Sequence, residues 1–206
     1  MSLLSPVPPR LRSIVELILT LAVAAGIAYL AQAYVVKPYV VPTGSMIPTL
    51  QPNDRLIADR LTLDFRNPHR GEIVVFHPPL CQPGFNQPPD NNFCSTNELT
   101  KRVGPSGTAF VKRVIGLPGE QLWSNDGHVW IKPVNGKPFE LNEPYLPPNM
   151  STSITGKITV PAGMYFMMGD NRASSDDSRT WGPEPRGWMI GIARLRYWPL
   201  SRLGLF

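Results

Sequence analysis

The chain is poor in the residues that metal and nucleotide chemistry need. It has two cysteines and three histidines among 206 residues. Cys81 and Cys94 have twelve residues between them, wider than the usual zinc pair, and His69, His77 and His128 do not complete a ligand set. A disulfide closing the loop between the cysteines and a pair of free thiols both stay open. No glycine-rich phosphate loop, dinucleotide fingerprint or internal repeat occurs. Charge of one sign is not concentrated either. The net charge is +5, but Lys and Arg are scattered and no helix carries a basic stripe. This argues against nucleic acid as a partner and for attraction to an anionic lipid surface. After Val36 no helical period of useful length appears. In its place come 24 prolines and 17 glycines across the chain, which cut helices short and leave strands and loops.

One long apolar run is present. Leu17 to Val36 holds twenty residues without a charge, enough to span the ~30 Å hydrocarbon layer at ~1.5 Å per helical residue. Arg10 and Arg12 precede it, so the positive-inside rule sets the N-terminus in the cytoplasm. The expected organisation is a cytoplasmic tail over 1–13, a transmembrane anchor helix over 14–36, and an extracytoplasmic β-rich domain over 37–206 with a loop insertion at about 78–105. Ala31-Gln32-Ala33 also fits the small-x-small pattern of a cleaved secretory signal. The run is longer than a usual signal core and continues past that point, which favours a retained anchor.

The rest reads as short strands. Pro38 to Pro42 is extended and leads into Thr43-Gly44-Ser45. Arg55 to Arg60, Arg70 to Phe76, Ala109 to Ile115 and Met164 to Met168 have strand character. Asn125-Asp126-Gly127 and Asn135-Gly136 signal hairpins.

Three segments carry candidate chemistry. In Pro42-Thr43-Gly44-Ser45-Met46-Ile47-Pro48-Thr49-Leu50 a serine sits on a stiff turn between two prolines. Taken alone, an ordinary turn serine explains it as well. Met46 and Ile47 beside it are either core or an apolar rim against lipid. In Phe110-Val111-Lys112-Arg113-Val114-Ile115-Gly116-Leu117-Pro118-Gly119-Glu120, strand alternation sets Lys112 on one face with Phe110 and Val114. A lysine on an apolar face is desolvated, which favours its neutral form and makes a general base of it. A lysine whose amine snorkels to water is the competing reading. Met168 to Gly182 is dense in hydroxyls, carboxylates and arginines, and reads either as a solvated turn or as a shell that orients a site.

In this order, behind an N-terminal apolar run, the three segments resemble the boxes of bacterial type I signal peptidases. The family pattern is Ser-Gly-Ser-Met-x-Pro-Thr-Leu, then Lys-Arg-x-x-Gly-Leu-Pro-Gly-Asp, then Gly-Asp-Asn-Arg-x-x-Ser-x-Asp-Ser-Arg-x-Trp-Gly. Asp54-Arg55 and Arg70 to Phe76 resemble the intervening boxes, and the likeness runs from about Val36 to Pro199. Thr43 stands where Ser is commoner, and Glu72 and Glu120 stand where Asp is common. The resemblance implies a mostly β fold and a membrane-bound serine endopeptidase with a Ser–Lys dyad. It implies Ser45 as nucleophile, Lys112 as general base, and Thr43 with the Ser45 N–H as oxyanion hole. Ser175, Asp177 and Arg179 would support the site. Val40, Val41, Pro42, Phe110 and Val111 would pair with an extended substrate and select small residues before the cut. It implies signal peptides of exported preproteins as substrate, and the lipid bilayer and the secretion translocon as partners. No cofactor and no metal is implied. The plasma membrane, or an internal one such as the thylakoid, is the implied location.

Lys101-Arg102-Val103-Gly104 imitates the lysine box but lacks the Leu-Pro-Gly that follows. A His-dependent serine protease, an inactive tethered scaffold and a self-cleaving repressor are the alternatives. Against them stand the lack of a histidine motif, the intact boxes and the lack of a DNA-binding helix pair.

Overall fold

The computed structural model describes residues 9–30, 35–78 and 109–206. It opens with helix α1 (Pro9–Leu30). Strands β1 (Val36–Val40) and β2 (Arg55–Asp59), a one-turn helix α2 (Leu61–Phe65), β3 (Ile73–Phe76) and β4 (Phe110–Gly116) follow. A hairpin of β5 (Gln121–Asn125) and β6 (His128–Lys132) leads to short β7 (Phe139–Glu140) and β8 (Ile158–Thr159). The chain continues through β9 (Met164–Met168), a one-turn helix α3 (Ser178–Trp181), β10 (Glu184–Pro185), β11 (Met189–Trp198) and β12 (Gly204–Leu205).

Two sheets form. The larger runs β1-β2-β11-β3-β4-β9-β10 with β12 on β11, and the smaller runs β7-β6-β5-β8. All pairings among the described strands are antiparallel. The large sheet curls, so that Leu56, Ala193, Ile73, Val75 and Val111 from its neighbouring strands share one apolar core with Val41, Met46 and Leu50. Ile115, Phe166 and Met168 pack instead against Leu122, Val129 and Ile131, which seats the small sheet on the large one. Burying such side chains contributes ~1.5–3 kcal/mol each.

Several expectations shift in detail. The strand at Arg70 to Phe76 begins only at Ile73, because residues 69–72 form a turn in which Gly71 takes φ 88° and Glu72 N–H donates to His69 O. Asp126 and Gly127 both take positive φ at the first hairpin, as a two-residue turn of that kind requires. The segment Met189–Trp198, which carries no strand expectation above, forms the long interior strand β11. Arg194 and Arg196 interrupt its apolar pattern and hide it from periodicity. The helices α2 and α3 are single turns, too short to leave a helical period. Of the two residues beside Ser45, Met46 is core at 1% exposure, and Ile47 is exposed.

Among the described residues, no helix is long and apolar enough to cross a membrane. Residues 31–34 of the predicted span, with Ala31-Gln32-Ala33, lie outside the described residues, as do 79–105 of the insertion with Cys81, Cys94 and Lys101.

Candidate active site

Ser45 sits on a turn closed by Ile47 N–H to Gly44 O at 3.1 Å and Leu50 N–H to Met46 O at 2.9 Å. Met46 and Leu50 point into the core and fix the turn from below. From the side, the loop after β9 holds it. Asn171 N–H donates to Ser45 O at 3.0 Å, and Asn171 Nδ2 donates to Gly44 O at 3.1 Å. The approach is so close that a Cβ on Gly169 would strike Ser175 Oγ and the Ser45 carbonyl oxygen, so this position requires glycine.

Lys112 comes from β4. Its Nζ lies 2.5 Å from Ser45 Oγ, in hydrogen-bond contact, and the side chain is only 2% exposed. Phe110 shares its face, with the amine 5.8 Å from the ring centroid. Burial pulls the lysine down to about 8, although the negative charges of Asp177, Asp176 and Asp170 act to raise it. A roughly tenth-neutral amine at pH 7 is a usable base, whereas an ordinary lysine near 10.4 is almost wholly protonated. Thr43 Oγ1 donates to Ser45 Oγ at 3.3 Å. Neither His69, His77 nor His128 is among the described hydrogen-bond partners of Ser45 Oγ.

Asp177 and Arg179 are joined. The Asp177 carboxylate accepts from Arg179 Nε at 2.9 Å and Nη2 at 2.8 Å, and from Gly169 N–H at 3.0 Å. It also caps α3. Burial alone raises an acid of this kind, but the bonds and charge of Arg179 outweigh it and hold the Asp177 carboxyl below the usual carboxylate range. Arg179 further donates to Arg172 O and Ser175 O, so the pair shapes the loop that carries Ser175. Ser175 Oγ is buried beside Asp177 without a well-formed hydrogen bond.

A cleft of about 30 Å³ adjoins the serine, bordered by Val41, Pro42, Met46, Phe110 and Val111. Its mostly apolar border suits a small side chain. Val40 is 56% exposed and does not border it. Along β4, β3 pairs with Phe110 to Arg113, but β9 pairs only from Arg113 onward. The edge at Phe110 to Lys112 is therefore not covered by β9.

Other residues of the site were not anticipated. Arg113 pairs bidentately with buried Asp170, Nε–Oδ1 2.8 Å and Nη2–Oδ2 2.7 Å. Asp170 accepts from Thr49 Oγ1 at 2.5 Å, so this pair also ties down the serine turn. Arg172 binds Glu143, Thr152 and the Gly169 carbonyl. The available signal was position alone, since Thr49, Arg113, Asp170, Asn171 and Arg172 all stand inside the three motif segments. Among the described residues, no group of three or more His, Cys, Asp or Glu side chains is disposed to hold a metal.

Comparison with known proteins decides the family. The model described as signal peptidase, peptidase S26, matches residues 14–198. This chain belongs to the peptidase S26 family of signal peptidases. It is 39% identical over 197 residues to signal peptidase I of Leptolyngbya laminosa, covering 95% of this chain and 83% of that protein. It is 38% identical over 203 residues to a probable signal peptidase I-1 of Synechocystis, covering 97% and 90%. Thylakoidal processing peptidase 1, chloroplastic, of Arabidopsis thaliana is 30% identical over 180 residues, covering 87% of this chain and 47% of that protein. The function is that of a type I signal peptidase, a serine peptidase acting on preproteins that bear signal peptides.

Proposed function

We propose that this signal peptidase works by a Ser45–Lys112 dyad. The observation that carries the reading is a nearly water-free lysine amine 2.5 Å from the serine hydroxyl. Neutral Lys112 accepts the Ser45 proton as Oγ attacks the scissile carbonyl. The Ser45 N–H and the Thr43 hydroxyl stabilise the oxyanion. Lys112 then returns the proton to the leaving amine, which departs as the new N-terminus, and an acyl ester stays on Ser45. A water gives its proton to Lys112 as it attacks the ester, and Lys112 passes that proton to the departing Ser45 Oγ, which releases the signal peptide with its new carboxyl end and restores both Ser45 and the neutral amine.

Ser175 supports the dyad from beside the lysine, and Asp177 with Arg179 maintains the loop. The substrate enters extended along the uncovered edge of β4 and beside the segment Val40 to Pro42. The cleft of about 30 Å³ supports selection of small residues at small-x-small sites.

The helix α1 is the proposed anchor, joined in the chain to the apolar Tyr34 to Val36. In support, Ile14, Leu17 and Leu21 on one side, and Val15, Leu19 and Val23 on another, are all exposed, with no partner surface in the described fold. The bilayer and the secretion translocon are then neighbours, with residues 1–13 cytoplasmic and 37–206 beyond the membrane. The likeness to the thylakoidal processing peptidase of Arabidopsis supports an internal membrane as a second location. Extraction at alkaline pH tests the anchor. A protein released into the supernatant overturns it.

The dyad is tested by cleavage of a purified preprotein with an Ala-x-Ala site. Wild type is expected to cut there, and Ser45→Ala and Lys112→Met are not. Activity surviving Lys112→Met points to another base. A folded wild type that does not cut supports the inactive scaffold.

A further inference from the structure

The groove at Ser45 does not end at the small cleft. Lys37, Tyr39 and Val41 are alternate residues of one extended segment, so their side chains leave the same face. Val41 N–H donates to Asp54 O at 2.9 Å, which carries the pairing past the end of β1. Val41 borders the small cleft, Tyr39 and Lys37 border a second cavity of about 560 Å³, and Ala109 borders both.

This second cavity is cationic. Among the described residues, Lys37, Arg60 and Arg186 border it with one carboxylate, Asp64. Arg186 is held by neutral acceptors, Asn67 Oδ1 at 2.9 Å and the carbonyls of Leu63 and Arg66, which fix it without cancelling its charge. Two polar atoms of bordering residues, Tyr39 Oη and His77 Nδ1, are buried without a hydrogen-bond partner. Buried polar groups in native proteins nearly always have one.

The direction follows from the small cleft. With the residue before the cut in that cleft, earlier residues of an extended substrate run along β1 toward Lys37. A strand rises ~3.3 Å per residue, so Lys37 lies about 13 Å from Val41, or four substrate residues upstream. The residue facing Lys37 is thus the fifth before the cut, on the same face as the first and third. The apolar part of a signal peptide also precedes its cut, and β1 follows the proposed anchor, so both reach the groove from the membrane side.

We propose that this cavity is a further specificity site, which reads the fifth side chain before the scissile bond, favours a carboxylate or carboxamide there, and disfavours Lys or Arg. The inference rests on the Ser45–Lys112 reading and extends it beyond the small residues at the cut.

The test is a preprotein series with one Ala-x-Ala site and Glu, Gln or Lys at the fifth position before the cut. It is cleaved by the full chain in phosphatidylcholine vesicles, as wild type and as Lys37→Gln/Arg60→Gln. In wild type kcat/KM for Glu is expected to exceed that for Lys on the order of tenfold, and raising salt to roughly 0.5 M narrows the ratio. In the double variant the ratio falls below about threefold, with folding checked by a thermal melt. A flat ratio in wild type, or an unchanged ratio in the double variant, overturns the proposal. So do rates that follow added anionic lipid and not the fifth residue, which give the cavity to a headgroup. A flat ratio with Ser45-dependent cleavage removes only this inference. Cleavage that persists in Ser45→Ala removes the dyad reading as well.

Discussion

Lys112 and Arg113 are consecutive on β4, both cations and both nearly out of solvent, at 2% and 8% exposure, and the fold treats them in opposite ways. Arg113 meets a buried carboxylate, Asp170, in a two-point hydrogen bond and stacks at 3.7 Å on the Tyr145 ring. Lys112 meets a hydroxyl. A guanidinium stays charged wherever it is placed, so burial obliges it to have a partner. An amine can lose its proton, so burial without a carboxylate partner converts it to a base. One strand thus makes a paired structural cation and an amine poised to lose its proton from adjacent residues, by choosing what faces each.

The sharpest way to break this contrast is to exchange the chemistry. Lys112→Arg keeps charge and bulk but cannot release a proton. Cleavage is expected to fall by about 10³-fold or more, as far as in Lys112→Met, in a single-turnover assay. The two variants should diverge in stability. Holding Lys112 near 8 costs the fold roughly 3 kcal/mol at neutral pH. Lys112→Met removes that cost, so its melting temperature should rise by the equivalent of about 1–3 kcal/mol, and Lys112→Arg should lower it. The sign also shows with pH. The cost is fully present below about 8 and fades as pH rises toward the ordinary lysine value of 10.5, so wild type gains stability across that window and Lys112→Met does not.

Arg113→Met strands Asp170. Denaturant unfolding should report a loss of about 3–5 kcal/mol. Arg113→Met with Asp170→Leu should recover much of it, but not activity, because Thr49 and the serine turn lose their tie. Thr43→Val removes a proposed oxyanion donor, and kcat is expected to drop by about 10²-fold with KM little changed.

The smallest effects refine the lysine side. The kcat/KM profile should rise with pH through about 8, following the neutral amine. Asp176 is exposed and its charge favours the protonated lysine, so Asp176→Asn should move the midpoint down by a few tenths of a pH unit.

Part of this was legible in sequence. Alternation along β4 set Lys112 and Arg113 on opposite faces, and ordered motifs joined Ser45 to Lys112 across 67 positions. Asp126-Gly127 announced a turn that only positive φ permits. The partner of Arg113 was not legible. Asp170, Asp176 and Asp177 stand close together in one polar segment, and only the packing of the loop after β9 decides which meets Arg113, which meets Arg179 and which faces solvent. The strand β11 was hidden because its arginines bind carboxylates and carbonyls across the sheet, a use of charge that a hydropathy pattern reads as loop.

The uncovered edge of β4 at Phe110 to Lys112 has a consequence for the company this domain can keep. Under the proposed mechanism its backbone donors and acceptors receive an extended peptide, and such groups will pair with any other strand, including one from a second copy of the chain. The outer strand β1 carries Lys37 and Pro38, a charge and a missing N–H, both of which discourage such pairing. The β4 edge has no proline and its one charge, Lys112, is buried, so under the proposed mechanism it stays receptive to an extended peptide.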